Sequence, residues 1–205
     1  MLKKIADAVE NYEFDCIQDL VKQAVNQGIK AKEILDNGLL KGMDALGKKF
    51  AEGEVFVPEV LMAANTMQAG LDIIREDLKQ GGDNSSRGTL IIGTVKGDLH
   101  DIGKKLVGMM IEGAGYKVYD LGVDVSVDDF VKAAKEYKAD FVGMSAMLTT
   151  TMTEMKAVIE ALQAEGIKAI PMIGGAPVSE DYAKSIGAKY SHDAASAVDL
   201  IKSLS

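Results

Sequence analysis

The sequence predicts an α/β protein in two parts, a four-helix bundle followed by a five-stranded parallel sheet with helices between its strands. Three observations lead to this. Apolar residues recur at helical spacing over positions 1–80. A stretch with no apolar side chain, Gly81-Gly82-Asp83-Asn84-Ser85-Ser86-Arg87-Gly88, then interrupts the chain. Beyond it, short β-branched runs alternate with helix-length segments. The expected domains are therefore a helical domain at 1–82, a linker at 83–88 and an α/β domain at 89–205.

In the helical part, Asp15 is placed to cap a helix running through Gln27, and Gly28 sits where a left-handed C-terminal residue is wanted. Ile17, Leu20, Val21, Ala24 and Val25 recur at helical spacing and make one face to bury. A third helix spans 31–50. Its glycines at 38, 42 and 47 weaken helix propensity but permit close packing. The turn Glu52-Gly53-Glu54 ends it. Pro58 then suits the first turn of a fourth helix reaching about position 79, since proline there forfeits no intrahelical bond. Helices joined by such short loops form an antiparallel bundle.

The strands are expected at 89–95, 117–121, 141–146, 169–173 and, more weakly, 189–191. Helices are expected near 102–113, 127–137, 152–165, 180–186 and 194–203, the second opened by a capping box of Ser126 and Asp129. This alternation suits a flavodoxin-like (Rossmann-like) doubly wound fold of strand order 2-1-3-4-5. Ligands of that fold bind outside the carboxyl ends of strands 1 and 3, where the winding reverses.

Composition narrows the partners. The 31 acidic against 23 basic side chains give a formal charge of −8, and no Lys/Arg-rich stripe is present. A nucleic-acid partner is not expected. The N-terminus lacks the apolar core of a signal peptide, and no window approaches a membrane span, so a soluble cytoplasmic protein is expected, with no membrane partner. With one cysteine, Cys16, neither an internal disulfide nor a Cys-rich metal site can form. A buried or half-buried hydrophobic role suits it.

The loop after strand 1 reads Asp98-Leu99-His100-Asp101-Ile102-Gly103 and carries one of only two histidines. Strand 3 ends in Ser145-Ala146-Met147 and strand 4 in Gly174-Gly175, so three polar or glycine-rich loops converge on one edge of the sheet. A histidine beside acidic residues near a helix start is ordinarily a solvated polar group, and a strand-end serine ordinarily bonds to backbone. Taken together, however, these loops resemble the Asp-x-His-x-x-Gly, Ser-x-Leu and Gly-Gly signature of the cobalamin-binding domain of methionine synthase and corrinoid methyltransferase proteins. The gaps 104–144 and 148–173 suit that family. Met147 stands where the signature has leucine, a volume that a thioether fills equally well. Upstream, Gly53-Glu54-Val55-Phe56-Val57-Pro58-Glu59 with Met62 and Met67 is similar to the helical cap preceding that domain.

The resemblance implies a cobalamin (corrinoid) cofactor whose cobalt takes His100 as its lower ligand. Asp98 orients the imidazole, and Ser145 bonds to Asp98 in a relay that adjusts ligand basicity. It also implies that Asp101, Ile102, Gly103, Met147, Gly174 and Gly175 line the cofactor site, with Phe56, Met62 and Met67 of the cap over the upper corrin face. Gly97 and Gly143 suit the walls of the slot for the cofactor tail. His192 reads as a solvated loop residue. The helical cap favours methyl transfer over mutase chemistry, and the chain has no barrel, zinc cluster or nucleophile–base pair of its own. It is therefore expected to be a methyl carrier rather than a complete enzyme. A substrate-specific methyltransferase for methanol, a methylamine, a betaine or a methoxylated aromatic (an O-demethylase system) would load it. A folate- or thiol-dependent methyltransferase would unload it, and a reductive activating protein would rescue oxidised cobalt. The rival readings are a metal-free flavodoxin-like binding or signalling module and a mutase-type cobalamin subunit.

Overall fold

The computed structural model describes residues 1–80 and 86–205, without the side chains of residues 79 and 80. Positions 83–85 of the expected linker lie outside the described residues. The chain divides into a helical unit, Met1–Ser86 with Gly113–Gly115, and an α/β unit built from Arg87–Glu112 and Tyr116–Ser205.

The helical unit contains α1 (Leu2–Glu10), α2 (Phe14–Asn26), α3 (Ala31–Ile34), a π-helical segment (Leu35–Leu39), α4 (Leu40–Ala51) and α5 (Val57–Gln80). The helix expected at 31–50 is thus a single helical run with a wide turn in its middle. The turn falls on Leu35-Asp36-Asn37-Gly38-Leu39, where three of five residues are poor helix formers. A Cβ on Gly38 would stand 3.0 Å from Ile5 Cγ2, so the wide turn packs directly against α1. Asp15 does not cap α2. The N-cap position belongs to Glu13, because the preceding backbone turns at Tyr12 (φ 49) with the Glu13 N–H bonded to the Ala8 carbonyl. Asp15 lies one position inside the helix, where a carboxylate still complements the helix dipole. Gly28 is left-handed as expected (φ 78). Cys16 is half-buried, and its thiol is pushed up by burial and then by the Glu13 carboxylate.

Helix–helix contact depends on two glycines. A Cβ on Gly42 of α4 would collide with the Ala6 carbonyl oxygen of α1 and approach Val9 Cβ to 2.8 Å, and one on Gly70 of α5 would meet Leu39 Cδ2 at 2.7 Å. Gly42→Ala is expected to destabilise the helical unit by about 1–3 kcal/mol through overpacking. A lower urea midpoint for the loss of helical signal checks this.

The α/β unit is a parallel five-stranded sheet of order β2-β1-β3-β4-β5, as the alternating pattern predicts. Its elements are β1 (Thr89–Thr94), α6 (Ile102–Gly113), β2 (Lys117–Asp120), α7 (Val127–Glu136), β3 (Phe141–Ser145), α8 (Glu154–Ala164), β4 (Ile170–Gly174), α9 (Glu180–Ile186), β5 (Lys189–Tyr190) and α10 (Ala194–Leu204). Ser126 caps α7, accepting from the Asp129 N–H at 3.2 Å. Its hydroxyl also donates to the Asp129 carboxylate at 2.6 Å, so that carboxylate serves the serine rather than the expected backbone N–H. Ile91, Val142, Met144, Met155, Ile173 and the fully buried Phe130 form the core of this unit. Phe130 lies over Gly93, where a Cβ would come within 2.9 Å of its ring. Among the described residues, no helix is long and apolar enough to cross a membrane.

Candidate functional site

Parallel strands expose their carboxyl ends together on one edge of the sheet, and five loops emerge there, at 95–101, 121–126, 146–153, 175–179 and 191–193. After β1 the chain turns sharply, with Gly97 at φ 81 and the Asp98 N–H bonded to the Val95 carbonyl at 3.1 Å. Glycine takes that left-handed turn without strain. The turn directs Asp98 into the protein, where its side chain is fully buried.

A buried carboxylate is tolerable only when its oxygens are satisfied. Asp98 Oδ1 accepts the His100 backbone N–H at 3.1 Å and lies 2.7 Å from His100 Nδ1. Oδ2 accepts the Met147 backbone N–H and the Thr151 hydroxyl, each at 2.7 Å. Burial opposes ionisation, but the Met147 N–H, the His100 ring and the Thr151 hydroxyl together outweigh it and hold the carboxyl well below the usual carboxylate range. An ionised acceptor at Nδ1 keeps the proton on that nitrogen. The lone pair is left on Nε2, to which nothing is bonded among the described residues. The imidazole is 54% exposed, so Nε2 is accessible.

Exposed apolar side chains flank His100 in the chain and stand on the neighbouring loop. Leu99 is 72% and Ile102 79% exposed, with Met147 and Leu148 also exposed on the neighbouring loop. Exposed apolar side chains beside one oriented imidazole suit a flat, largely apolar partner. No group of three or more His, Cys, Asp or Glu side chains able to cage a metal occurs among the described residues. One imidazole fits a metal whose remaining coordination is supplied by a macrocycle, and the donor set is consistent with the expected cobalamin.

The other expected residues divide. Asp101 pairs with Lys105 at 2.5 Å at the helix start. Ile102 opens α6 with its side chain exposed, and a Cβ on Gly103 would meet nothing within 4 Å. Gly174 and Gly175 are sterically required: a Cβ on Gly174 would stand 2.9 Å from the Ser191 carbonyl, and one on Gly175 would overlap the Ala146 carbonyl. Gly143 departs from the expectation of a slot wall, since Ile92 of the adjacent strand fills the space above it at 2.9 Å. In the helical unit Phe56 and Met62 are exposed, whereas Met67 is only 3% exposed and serves as core rather than as an open contact surface. His192 is exposed, with Nε2 3.0 Å from the Asp193 carboxylate.

The expected relay is corrected at Ser145. The hydroxyl on Asp98 belongs to Thr151, and among the described residues the Ser145 side chain makes no hydrogen bond to Asp98. The physical reason is the tight turn after β3. Thr151 N and Met152 N both bond to the Leu148 carbonyl, at 3.2 and 3.0 Å, and this folds Thr151 back over Asp98. Thr151→Val is expected to weaken hydroxocobalamin binding about 10-fold, at the lower end of what a residue supporting a metal ligand contributes. Ser145→Ala should change it by less than about 2-fold on the same scale. Titration by absorbance separates the two, and equal losses would count against the Thr151 assignment.

The family comparisons agree with this geometry. Residues 88–199 match the B12 binding domain family, and residues 1–75 match a second family also described as a B12 binding domain. A dimethylamine corrinoid protein of Methanosarcina barkeri is 40% identical over 100% of this chain and 97% of its own length. The methanol:cobalamin methyltransferase complex of the same organism contains a chain that superposes with a TM-score of 0.89 at 30% identity. That match covers 98% of this chain and 77% of the other. A cobalamin-binding protein of Desulfitobacterium hafniense superposes with a TM-score of 0.81 at 32% identity, covering 100% of this chain and 98% of that one. Over both halves of its length, this chain belongs to the cobalamin-binding corrinoid proteins of methyltransferase systems.

Proposed function

We propose that this chain is a methyl carrier, loaded by a substrate-specific methyltransferase acting on a methylated amine and unloaded by a second methyltransferase with a folate or thiol acceptor. A reductive activating protein would restore the carrier after accidental oxidation. The observation that carries the reading is the exposed His100 imidazole, oriented through Nδ1 by buried Asp98, with exposed apolar side chains on its own and the neighbouring loop. Cobalamin, when bound, supplies a cobalt centre able to accept and release a methyl group, and the chain's residues govern access to it and its lower ligation. His100 would provide that ligand, and Asp98 holds the proton on Nδ1 so that Nε2 remains a donor. Thr151 and the Met147 N–H keep Asp98 ionised, and Leu99, Ile102, Met147 and Leu148 would exclude water beside the ligand. Membership in a cobalamin-binding family favours this over a metal-free signalling module.

Full-length likeness to dimethylamine and trimethylamine corrinoid proteins of Methanosarcina supports an amine donor. The decisive experiment reconstitutes the protein with hydroxocobalamin, reduces it, and supplies it in parallel with methyltransferases for dimethylamine, trimethylamine, methanol, betaine and methoxylated aromatics. Methylation of the bound corrinoid is expected with an amine enzyme. Methylation by only one of the others would move the donor class, and none from any of them would sink the carrier reading.

A further inference from the structure

Lys104 sits in an unfavourable place. It lies in the first turn of α6, the helix end that repels cations, and its side chain is fully buried. Lysine is almost never buried unless paired, and here the ammonium is paired with Asp120, the last residue of β2. The same Asp120 oxygen accepts the Gly122 N–H at 2.9 Å. Gly122 (φ 86) presents its carbonyl to the Thr94 N–H at 3.0 Å, and the buried Thr94 hydroxyl donates to the His100 carbonyl at 2.8 Å. Since His100 and Lys104 are joined through the start of α6, these bonds close a ring around the ligand loop. Asp124 of the same 121–125 segment adds a second strut. Held left-handed at φ 53, it donates its N–H to the Asp98 carbonyl at 3.0 Å and accepts the Gly97 N–H on its carboxylate at 2.7 Å.

We infer that Lys104 is a positioning residue for His100. Its pairing with Asp120 anchors the 121–125 segment, and that segment, through Gly122, Thr94 and Asp124, holds the backbone on both sides of the Asp98–His100 couple. The Asp98 carboxylate sets which ring nitrogen carries the proton. Where the ring stands, and whether Nδ1 stays within reach of Oδ1, depends on the backbone of residues 98–100 that this ring of bonds immobilises. The inference rests on the reading of His100 as the metal ligand.

Because the chain has only two histidines, the test can be read in the cofactor-free protein. Long-range proton–nitrogen spectra of the ¹⁵N-labelled protein report the tautomer and hydrogen bonding of His100, and exposed His192 serves as an internal control. K104M and T94V are expected to move the His100 ring-nitrogen shifts toward those of an averaged tautomer pair while leaving His192 in place. K104R should restore most of the difference. Hydroxocobalamin titrations of both variants should show about 10-fold weaker binding. Unchanged His100 shifts in either folded variant, or equal movement of His100 and His192, overturn the inference, and if K104M does not fold, T94V decides alone. An H100A control keeps this distinct from the parent reading. If its loaded spectrum equals that of the unaltered protein, the ligand assignment fails. If that spectrum changes while T94V and K104M leave His100 unmoved, only the role of Lys104 fails.

Discussion

Replacing His100 with alanine is expected to leave a folded protein that binds hydroxocobalamin at least about 100-fold more weakly, a loss of about 2.8 kcal/mol. The corrinoid that remains should show a spectrum without imidazole on the metal. The fold should survive because the ring is 54% exposed and contributes little packing. Asp98 also keeps three of its donors in the variant, namely the residue-100 backbone N–H, the Met147 N–H and the Thr151 hydroxyl. The buried carboxylate is therefore not orphaned, and the change isolates ligation from stability. A titration followed by absorbance, beside circular dichroism of the cofactor-free variant, checks both halves. A loaded spectrum superimposable on that of the unaltered protein would remove His100 from the metal.

Much of the α/β unit is legible in the sequence, because four of its five strands are short runs containing β-branched residues and closed by a turn. β1 was expected to run through Val95 and ends at Thr94, where Val95 leaves the ladder to form an isolated bridge with Val125. Periodicity records burial but carries no information about such a local departure. The helical unit was less legible in its details. The π-helical turn at Leu35–Leu39 reflects the approach of Ile5 from another helix, and the displacement of Asp15 from the cap reflects the backbone turn at Tyr12. The first couples a run of poor helix formers to packing from α1 and the second is a local backbone turn, and apolar periodicity records neither.

The site shows the same division. Asp98 and His100 are two residues apart on one turn, so their pairing follows from local geometry that a short motif can encode. The hydroxyl on Asp98 could not be assigned this way, since Ser145 ends β3, Thr151 lies six residues further on, and the choice depends on how tightly residues 147–153 wind. A run of three threonines leading into a helix was the available signal. Lys104 gave none: beside Lys105 at the start of an amphipathic helix it reads as a solvated lysine, and only the arrival of Asp120 from β2 makes it a buried charge.

Gly175→Ala is expected to be the most damaging small substitution in the α/β unit, at about 3–5 kcal/mol, because two faults combine there. At φ 127 the backbone is in a region that side-chain-bearing residues rarely adopt, which costs about 1–3 kcal/mol. The new methyl would also fall on the Ala146 carbonyl oxygen, with the carbonyl carbon at 2.9 Å, and backbone cannot rotate aside as a side chain can. Relief requires the chain after β3 to move. That chain carries the Met147 N–H that holds Asp98 Oδ2, so loss of stability and loss of His100 orientation should appear together. Gly103→Ala supplies the opposite case. Its methyl meets nothing within 4 Å, and alanine within α6 should stabilise the unit by about 0.5–1 kcal/mol. If that glycine exists to let a corrin approach the backbone, Gly103→Ala should raise the urea midpoint and still weaken hydroxocobalamin binding. Equal stability and binding changes in the two variants would show that neither glycine discriminates between fold and cofactor. A Gly175→Ala protein with an unaltered urea midpoint would mean that the loops after β3 and β4 do not meet as closely in solution as Gly175 and Ala146 do here.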